Sequence, residues 1–322
     1  MVMVFYLVIM NLLAFVVYGV DKKKARKHLW RVPEATLLAL AVLGGSFGAG
    51  LGMLCWHHKT RKPKFTVTVP AFVVLWGALC GFCLYQNYHL TVTEYEAEIG
   101  LGHEMTIVQI SDLHNQFFGV GESVLLRKIA EKKPDLIVVT GDVLDSFHVS
   151  CKITEDFFAG AVKICPVYYI TGNHEARLDQ EKFGPFLDGI REMGVTFLDD
   201  AYEDKGEYVL AGIADASLPT FHAYGSFEEE KPVILLAHEP GYVALYQRLR
   251  ADLVLTGHVH GGQIILPGKG GLLSPEISFF PEYYEGIHDI NGMKMVVSRG
   301  LGNSVLPVRI NNYPEIVVIK VR

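Results

Sequence analysis

Cysteine is scarce in this chain, with five among 322 residues, and Cys55, Cys80 and Cys83 lie in apolar runs where a thiol behaves as a small hydrophobe. Cys80-x-x-Cys83 is therefore read as packing and not as redox chemistry. Cys151 and Cys165 remain as a possible pair if that region is exported, a question of proximity that spacing does not answer. Internal repeats and low-complexity tracts are absent, which argues against a repeat array. Residues 1–20 lack a basic n-region and a small-residue cleavage site before Asp21, so they read as a retained anchor, not a removed signal peptide. A basic excess is also missing. The formal charge is −6, and beyond residue 86 the chain carries 19 basic against 33 acidic residues. A nucleic-acid binder shows a basic footprint, so no long DNA or RNA partner is expected. A small phosphodiester stays open, because bound metal ions reverse the local potential.

Apolar sequence, by contrast, is abundant and unevenly placed. Half of the residues are hydrophobic and the mean hydropathy is +0.25, yet three runs, 1–20, 35–56 and 67–85, hold the long apolar stretches. Each approaches the ~20 residues that a helix needs to cross a bilayer. Two basic loops separate them, one with Lys22, Lys23, Lys24, Arg26, Lys27 and Arg31, the other with Lys59, Arg61, Lys62 and Lys64. After the third run come Glu94, Glu96, Glu98 and Glu104, with no Lys or Arg until Arg127. The positive-inside rule wants both basic loops in the cytoplasm, which three simple crossings cannot provide. If the glycine-broken middle run (44–50) folds back as a hairpin, the acidic segment and all that follows face outside; if all three runs span, they face the cytoplasm. The expectation is a multi-pass cell-membrane protein in contact with the lipid bilayer, with two or three transmembrane helices and the outside placement favoured.

Five short runs rich in β-branched residues each end in a polar donor: 106–111 before Asp112-Leu113-His114, 136–140 before Gly141-Asp142, 167–171 before Gly172-Asn173-His174-Glu175, 233–237 before His238, and 253–256 before Gly257-His258-Val259-His260. Buried strands deliver ligands in this way at their carboxyl ends. Two divalent cations about 3.5–4 Å apart need a shared anionic bridge and further neutral donors. Asp142 is the natural bridge. Asp112 and His260, with His114 beside them, suit one ion, and Asn173, His238 and His258 suit the other. Carboxylate, carboxamide and imidazole together favour Mn, Fe, Zn or Co over Ca or Mg. His174 is left to protonate a leaving-group oxygen while a metal-activated hydroxide attacks phosphorus in line. The bland reading of each fragment alone, as a turn or a core histidine, loses force once all five occur in order.

Residues 104–322 resemble the calcineurin-like metallophosphoesterase superfamily, and His258-Val-His260-Gly-Gly-Gln263, Arg299-Gly-Leu-Gly302, Pro307-Val-Arg309 and Pro314-Glu-Ile316 are similar to its bacterial membrane-associated branch. The resemblance implies metal ligation by Asp112, His114, Asp142, Asn173, His238, His258 and His260, with His174 as the acid. It also implies a phosphodiesterase acting on a small or lipid-linked phosphoester. Alternatives are a pyrophosphate hydrolase of a UDP-linked acylated sugar and a metal-binding sensor coupled to the membrane part. Residues 1–86 resemble an uncharacterised membrane family, domain of unknown function 1294, through Asp21-Lys22, Arg31-Val-Pro-Glu34, Gly44-Gly45 and His58-Lys-Thr60. They serve either as an anchor or, through Asp21, Glu34 and His58, as a polar site at the interface.

The expected architecture is an α-helical membrane domain (1–86), a linker (87–103) and an α/β two-sheet sandwich flanked by helices (104–322). Helices are expected at 122–132, 179–193 and 240–250, and segments 293–298 and 316–321 are expected to add a second sheet. Arg177, Arg299 and Arg309 are candidates for substrate phosphate, since guanidinium matches its geometry. Phe279, Phe280, Tyr283 and Tyr284 either meet acyl chains or cover the core. His28, His57, His89, His103, His148, His222 and His288 are taken as structural.

Overall fold

The computed structural model describes residues 2–146, 151–218, 231–275, 277–303 and 308–322; His148, His222 and Pro307 lie outside them. The chain forms two compact units, Met1–Tyr85 and Gln86–Arg322.

The first unit is built from α1 (Val2–Arg26), α2 (Glu34–Leu40), α3 (Ser46–Cys55) and α4 (Pro63–Tyr88). Among the described residues, Phe5–Arg26, Glu34–Cys55 and Pro63–Tyr88 are long and apolar enough to cross a membrane. The middle stretch reverses, however. Leu43 and Gly44 leave helical geometry, and Gly44 has φ +106°, which glycine adopts without a Cβ clash. Tyr18 Oη donates to Leu37 O (3.3 Å) and Tyr6 Oη to Leu43 O (2.7 Å), so α2 runs antiparallel to α1. Gly48 N then donates to Asn11 Oδ1 (2.7 Å), and Gly52 lies against Tyr18, so α3 runs back alongside α1. Asn11 Nδ2 also donates to Gly44 O (2.9 Å). One side chain thus satisfies a carbonyl and an amide at the reversal, as an apolar setting demands. A Cβ on Gly48 would sit 1.8 Å from Asn11 O, so α1 and α3 meet backbone to backbone. Both ends of this hairpin, and hence both basic loops, lie at the carboxyl end of α1. There Asp21 is buried and accepts from Arg31, His58 and Val32 N.

In the second unit the elements are β1 (Thr91–Ala97), β2 (Met105–Ile110), α5 (Ser123–Glu131), β3 (Leu136–Thr140), α6 (Cys151–Ala161), β4 (Val167–Ile170), α7 (Asn173–Ala176), α8 (Gln180–Glu192), β5 (Thr196–Phe197), β6 (Ala201–Asp204), β7 (Val209–Gly212), β8 (Val233–Leu236), α9 (Val243–Arg248), β9 (Leu253–Thr256), β10 (Ile265–Leu266), β11 (Gly270–Gly271), β12 (Gly286–Ile290), β13 (Met293–Val297) and β14 (Glu315–Val321). Two six-stranded sheets result, ordered β1-β14-β2-β3-β4-β5 and β12-β13-β9-β8-β7-β6. Their facing sides share one core, in which Ile107, Val138 and Ile319 meet Leu236, Leu255 and Val296. Helices α5, α6 and α8 supply the outer core of the first sheet, and α9 that of the second. Strands β2, β3 and β4 are parallel, as are β7, β8, β9 and β13, so the carboxyl ends that carry the polar motifs gather within each sheet.

Three expectations differ from this arrangement. Segment 316–321 joins the first sheet, where β14 lies between β1 and β2, and only 293–297 belongs to the second. The stretch read as a linker contains β1, which pairs in parallel with β14 from Thr91↔Glu315 to Ala97↔Val321. Its acidic side chains are those of a protected edge strand. Helix α9 starts only at Val243, well after Pro240. Cys151 and Cys165, whose pairing was left open by the spacing, are both free thiols.

Candidate metal centre

The donor motifs reach one buried site from strand ends, and five of the donors sit at sharp left-handed turns. Asp112, His114, Asp142, His258 and His260 all have φ between 45° and 67°. This left-handed region is unfavourable for most side chains, and Asn, Asp and His tolerate it best. Glycine makes room at the points of closest approach. A Cβ on Gly257 would lie 1.8 Å from Ser111 Oγ and 2.4 Å from Asp112 Oδ2, so β9 could not bring His258 beside the β2 loop with any larger residue.

Ligand atoms of Asp112, His114 and His260 lie within 4.8 Å of one another, as do those of Asp142, His238 and His258; Asp142 also groups with His114 and His174. His114 Nε2 and His260 Nε2 are 3.1 Å apart, and His258 Nδ1 is 3.2 Å from His238 Nε2. His238 Nε2 is 3.2 Å from Asp142 Oδ2 and 3.1 Å from Asn173 Oδ1. His260 Nε2 is 3.5 Å from Asp112 Oδ1. Outer contacts orient the rings. His238 Nδ1 donates to Thr140 O (2.7 Å), which turns Nε2 toward Asp142.

The electrostatics of this constellation fit divalent cations. Burial pushes His114 down to about 4 and His258 down to about 3, and holds His260 well below the usual range, so three imidazoles are neutral and offer lone pairs. Burial also pushes Asp112 up to about 6, helped by the charge of Asp142. Asp142 goes the other way: burial opposes ionisation, but His238, His114 and His174 outweigh it and hold the carboxyl below its usual value. Burial opposes protonation of His238, but Asp142 outweighs it and holds that imidazole well above the usual range. Two buried carboxylates with this single counter-charge among otherwise neutral nitrogens are costly unless a cation joins them.

His174 stands at the edge of this cluster. Its Nδ1 accepts from Ser146 N (3.0 Å), which leaves Nε2 as the nitrogen that carries the proton. Its backbone N donates to Asp142 Oδ1 (2.8 Å). Burial, reinforced by the charge of Arg177, lowers its pKa.

Glu175 is a site residue that the motif reading quoted without a role. Its buried carboxylate accepts from Asp142 N (2.9 Å), Leu144 N (2.8 Å) and Gly172 N (2.9 Å). It therefore ties the β3 and β4 loops together. Its place next to His174 was the only signal in the sequence.

The three arginines separate. Arg177 is exposed at the end of α7, close enough for its charge to act on His174. Arg299 is committed to Glu315 (2.7 Å) and Glu285 (3.5 Å). Arg309 is fully buried, donating to the carbonyls of Arg299, Gly300 and Gly302 and to Asn312 Oδ1. The expectation that Arg299 and Arg309 hold substrate is corrected accordingly: both brace the 299–302 loop, whose Gly302 N donates to Asp112 O (2.6 Å).

Of the aromatic cluster, Phe279 and Phe280 are exposed, and Tyr284 packs on Gly270 and Gly271.

Comparison with known proteins gives the same picture. Residues 105–262 match the model of calcineurin-like phosphoesterases, and residues 11–65 match a family described as a protein of unknown function, DUF1294. The uncharacterized metallophosphoesterase YkuE of Bacillus subtilis is 30% identical over 234 residues, covering 67% of this chain and 78% of YkuE. The phosphodiesterase YaeI of Escherichia coli is 27% identical, covering 66% of this chain and 81% of YaeI. The uncharacterized protein YsdA of B. subtilis is 41% identical over 75 residues, covering 23% of this chain and 84% of YsdA. With a two-sheet core, clustered Asp and His donors and relatives of this kind, the chain belongs to the calcineurin-like metallophosphoesterases and is a metal-dependent phosphoric ester hydrolase.

Proposed function

We propose that this protein is a membrane-anchored phosphodiesterase whose substrate is a small or lipid-linked phosphodiester. The observation that carries the reading is the convergence of two donor groups on Asp142. Asp112, His114 and His260 would hold one divalent cation and Asn173, His238 and His258 the other, with Asp142 common to both. Mn, Fe, Zn and Co suit this mixed oxygen and nitrogen set. When bound, such ions supply Lewis acidity at a phosphoryl oxygen and a water of lowered pKa. The chain's own residues do the rest. His174 presents its Nε2 proton to the leaving-group oxygen, with Nδ1 held by Ser146 N. Arg177 receives a non-bridging oxygen. Glu175 keeps the two loops in register through its three amide bonds.

A lipid-linked ester is favoured by the segment that follows the last donors. Leu273 N donates to Gly262 O (3.0 Å), tying the segment to the 260–262 turn, and Ile277, Phe279 and Phe280 are 76%, 65% and 48% exposed. An apolar tip fastened beside the site suits an acyl chain or the bilayer surface.

Residues 1–86 form the membrane domain in this reading. With α2 and α3 folded back as a hairpin, α1 and α4 are the crossings, and the chain leaves α4 at the end opposite the basic loops. The positive-inside rule then puts the hydrolase outside the cell.

The test is hydrolysis of paired mono- and diester chromogenic substrates by the full chain, stripped of metal and then given Mn, Zn, Fe or Mg. Metal-dependent diester turnover is expected, with Asp142→Asn inactive and poor in bound metal. His174→Ala should keep its metal and lose about 10²–10⁴ in turnover, the range for a positioned proton donor. Equal activity in wild type and both variants would refute the assignment.

A further inference from the structure

We infer that the basic pocket at the loop end of the first unit binds the phosphate of an anionic phospholipid headgroup. The cavity has a volume of about 720 Å³, and among its lining residues are Lys22, Arg26, Arg31, Lys59, Arg61 and Lys62. The carboxylates at this end are Asp21 and Glu34, and their partners are identifiable. Asp21 takes Arg31 at 2.7 Å, with Lys59 at 3.8 Å. Glu34 takes Lys59 at 2.8 Å and also Lys62. Lys22 Nζ donates to His57 O (2.9 Å). Arg26 and Arg61 are left without an ion pair among the described residues. The pocket therefore carries a surplus of positive charge over the carboxylates around it.

The two loops that carry these cations are joined by a buried framework. Asp21 is 0% exposed and gathers Arg31, the His58 ring at 2.7 Å and Val32 N at 3.0 Å. These contacts join the loop after α1 to the loop after α3, so the two basic loops are fixed side by side around the pocket before any ligand arrives. Such preorganisation favours anion capture over a set of free surface lysines. Guanidinium groups present a planar fork that fits phosphate oxygens.

Depth selects lipid over a soluble phosphate. The pocket lies where the apolar helices end, and the neighbouring Leu29, Trp30 and Trp56 are 55%, 89% and 40% exposed. Tryptophan collects at the headgroup level of a bilayer. A phosphodiester whose acyl chains lie along the helices would reach the pocket from that level.

Native mass spectrometry of the full chain in a nonionic detergent tests this, with titration by phosphatidylglycerol and by phosphatidylcholine of the same acyl chains. Phosphatidylglycerol should bind at much lower concentration. The Arg26→Gln, Arg61→Gln double variant, which leaves the Asp21 framework intact, should weaken phosphatidylglycerol binding roughly thirtyfold and leave phosphatidylcholine unchanged. Equal binding of the two lipids, or an unaltered preference in the variant, overturns the inference. Displacement of the lipid by millimolar inorganic phosphate at constant ionic strength also overturns it, and assigns the pocket to a soluble phosphate.

Discussion

Each unit of this molecule buries a knot of charge, and the two knots are built on opposite terms. In the membrane unit, Asp21 is enclosed by a guanidinium, an imidazole and a backbone amide, so its own charge is fully compensated. In the hydrolase unit, Asp112 and Asp142 face neutral histidines. His238 is the main counter-charge there: burial opposes its protonation, and Asp142 outweighs burial. A matched cluster reads as architecture. An unmatched one, assembled at the cost of left-handed backbone at five positions, reads as a place reserved for something that arrives later.

Removing one carboxylate from each knot should therefore act in opposite directions. Asp21→Asn leaves Arg31 and His58 facing a neutral amide. A loss of about 3 kcal/mol is expected, at the low end for a broken buried pair because Arg31 is still 43% exposed. The measurement is thermal unfolding of the full chain in detergent, and an unchanged midpoint would dissolve the contrast. Asp112→Asn should stabilise the metal-free protein by about 1–2 kcal/mol, since it removes a buried charge that burial and Asp142 already disfavour. The same variant should lose the stabilisation that added Mn gives the wild type. If the metal-free variant instead unfolds below the metal-free wild type, the site is balanced without cations.

The smallest effect sharpens the comparison from between the extremes. Glu122 is a buried carboxyl away from the site, and Phe118 N donates to it at 3.1 and 3.2 Å. Burial is the main cause that pushes it up to about 7 from 4.5. A raised carboxyl stabilises the fold fully below the unfolded value, and that contribution disappears as pH rises through about 7. Glu122→Gln should accordingly match the wild type near pH 4.5 and exceed it at pH 8 by on the order of 1 kcal/mol. A gap that closes with rising pH would reverse the sign of the argument.

The site was more legible in the sequence than the fold around it. Asp112, Asp142, Asn173, His238 and His258 each follow a short apolar run, and such runs mark strand ends without any knowledge of neighbours. Sheet membership is a different matter. Nothing in 316–321 tells that β14 inserts between β1 and β2, because pairing depends on partners more than 200 residues away. The acidic residues of β1 imitate a linker until that pairing is seen. Glu175 escaped because its three partners are backbone amides, which leave no trace in residue identity. Arg309 misled for a related reason: a guanidinium suits phosphate, yet it suits a ring of buried carbonyls equally well.

The left-handed turns at the metal centre also bear on how this chain can drift. Asp and His coordinate cations, and they belong to the few residue types that tolerate positive φ. At Asp112, His114, Asp142, His258 and His260, ligand chemistry and backbone shape therefore draw on the same short alphabet. A descendant that no longer needed metal would still find Asp, Asn, His or Gly the least strained residues at these turns, although Glu122, Lys133 and Gln263 show that others can be held at positive φ. Persistence of such residues in a lineage is thus a record of chain geometry as much as of catalysis, and loss of activity would be written first at Asn173 and His238, whose backbones are under no such restraint.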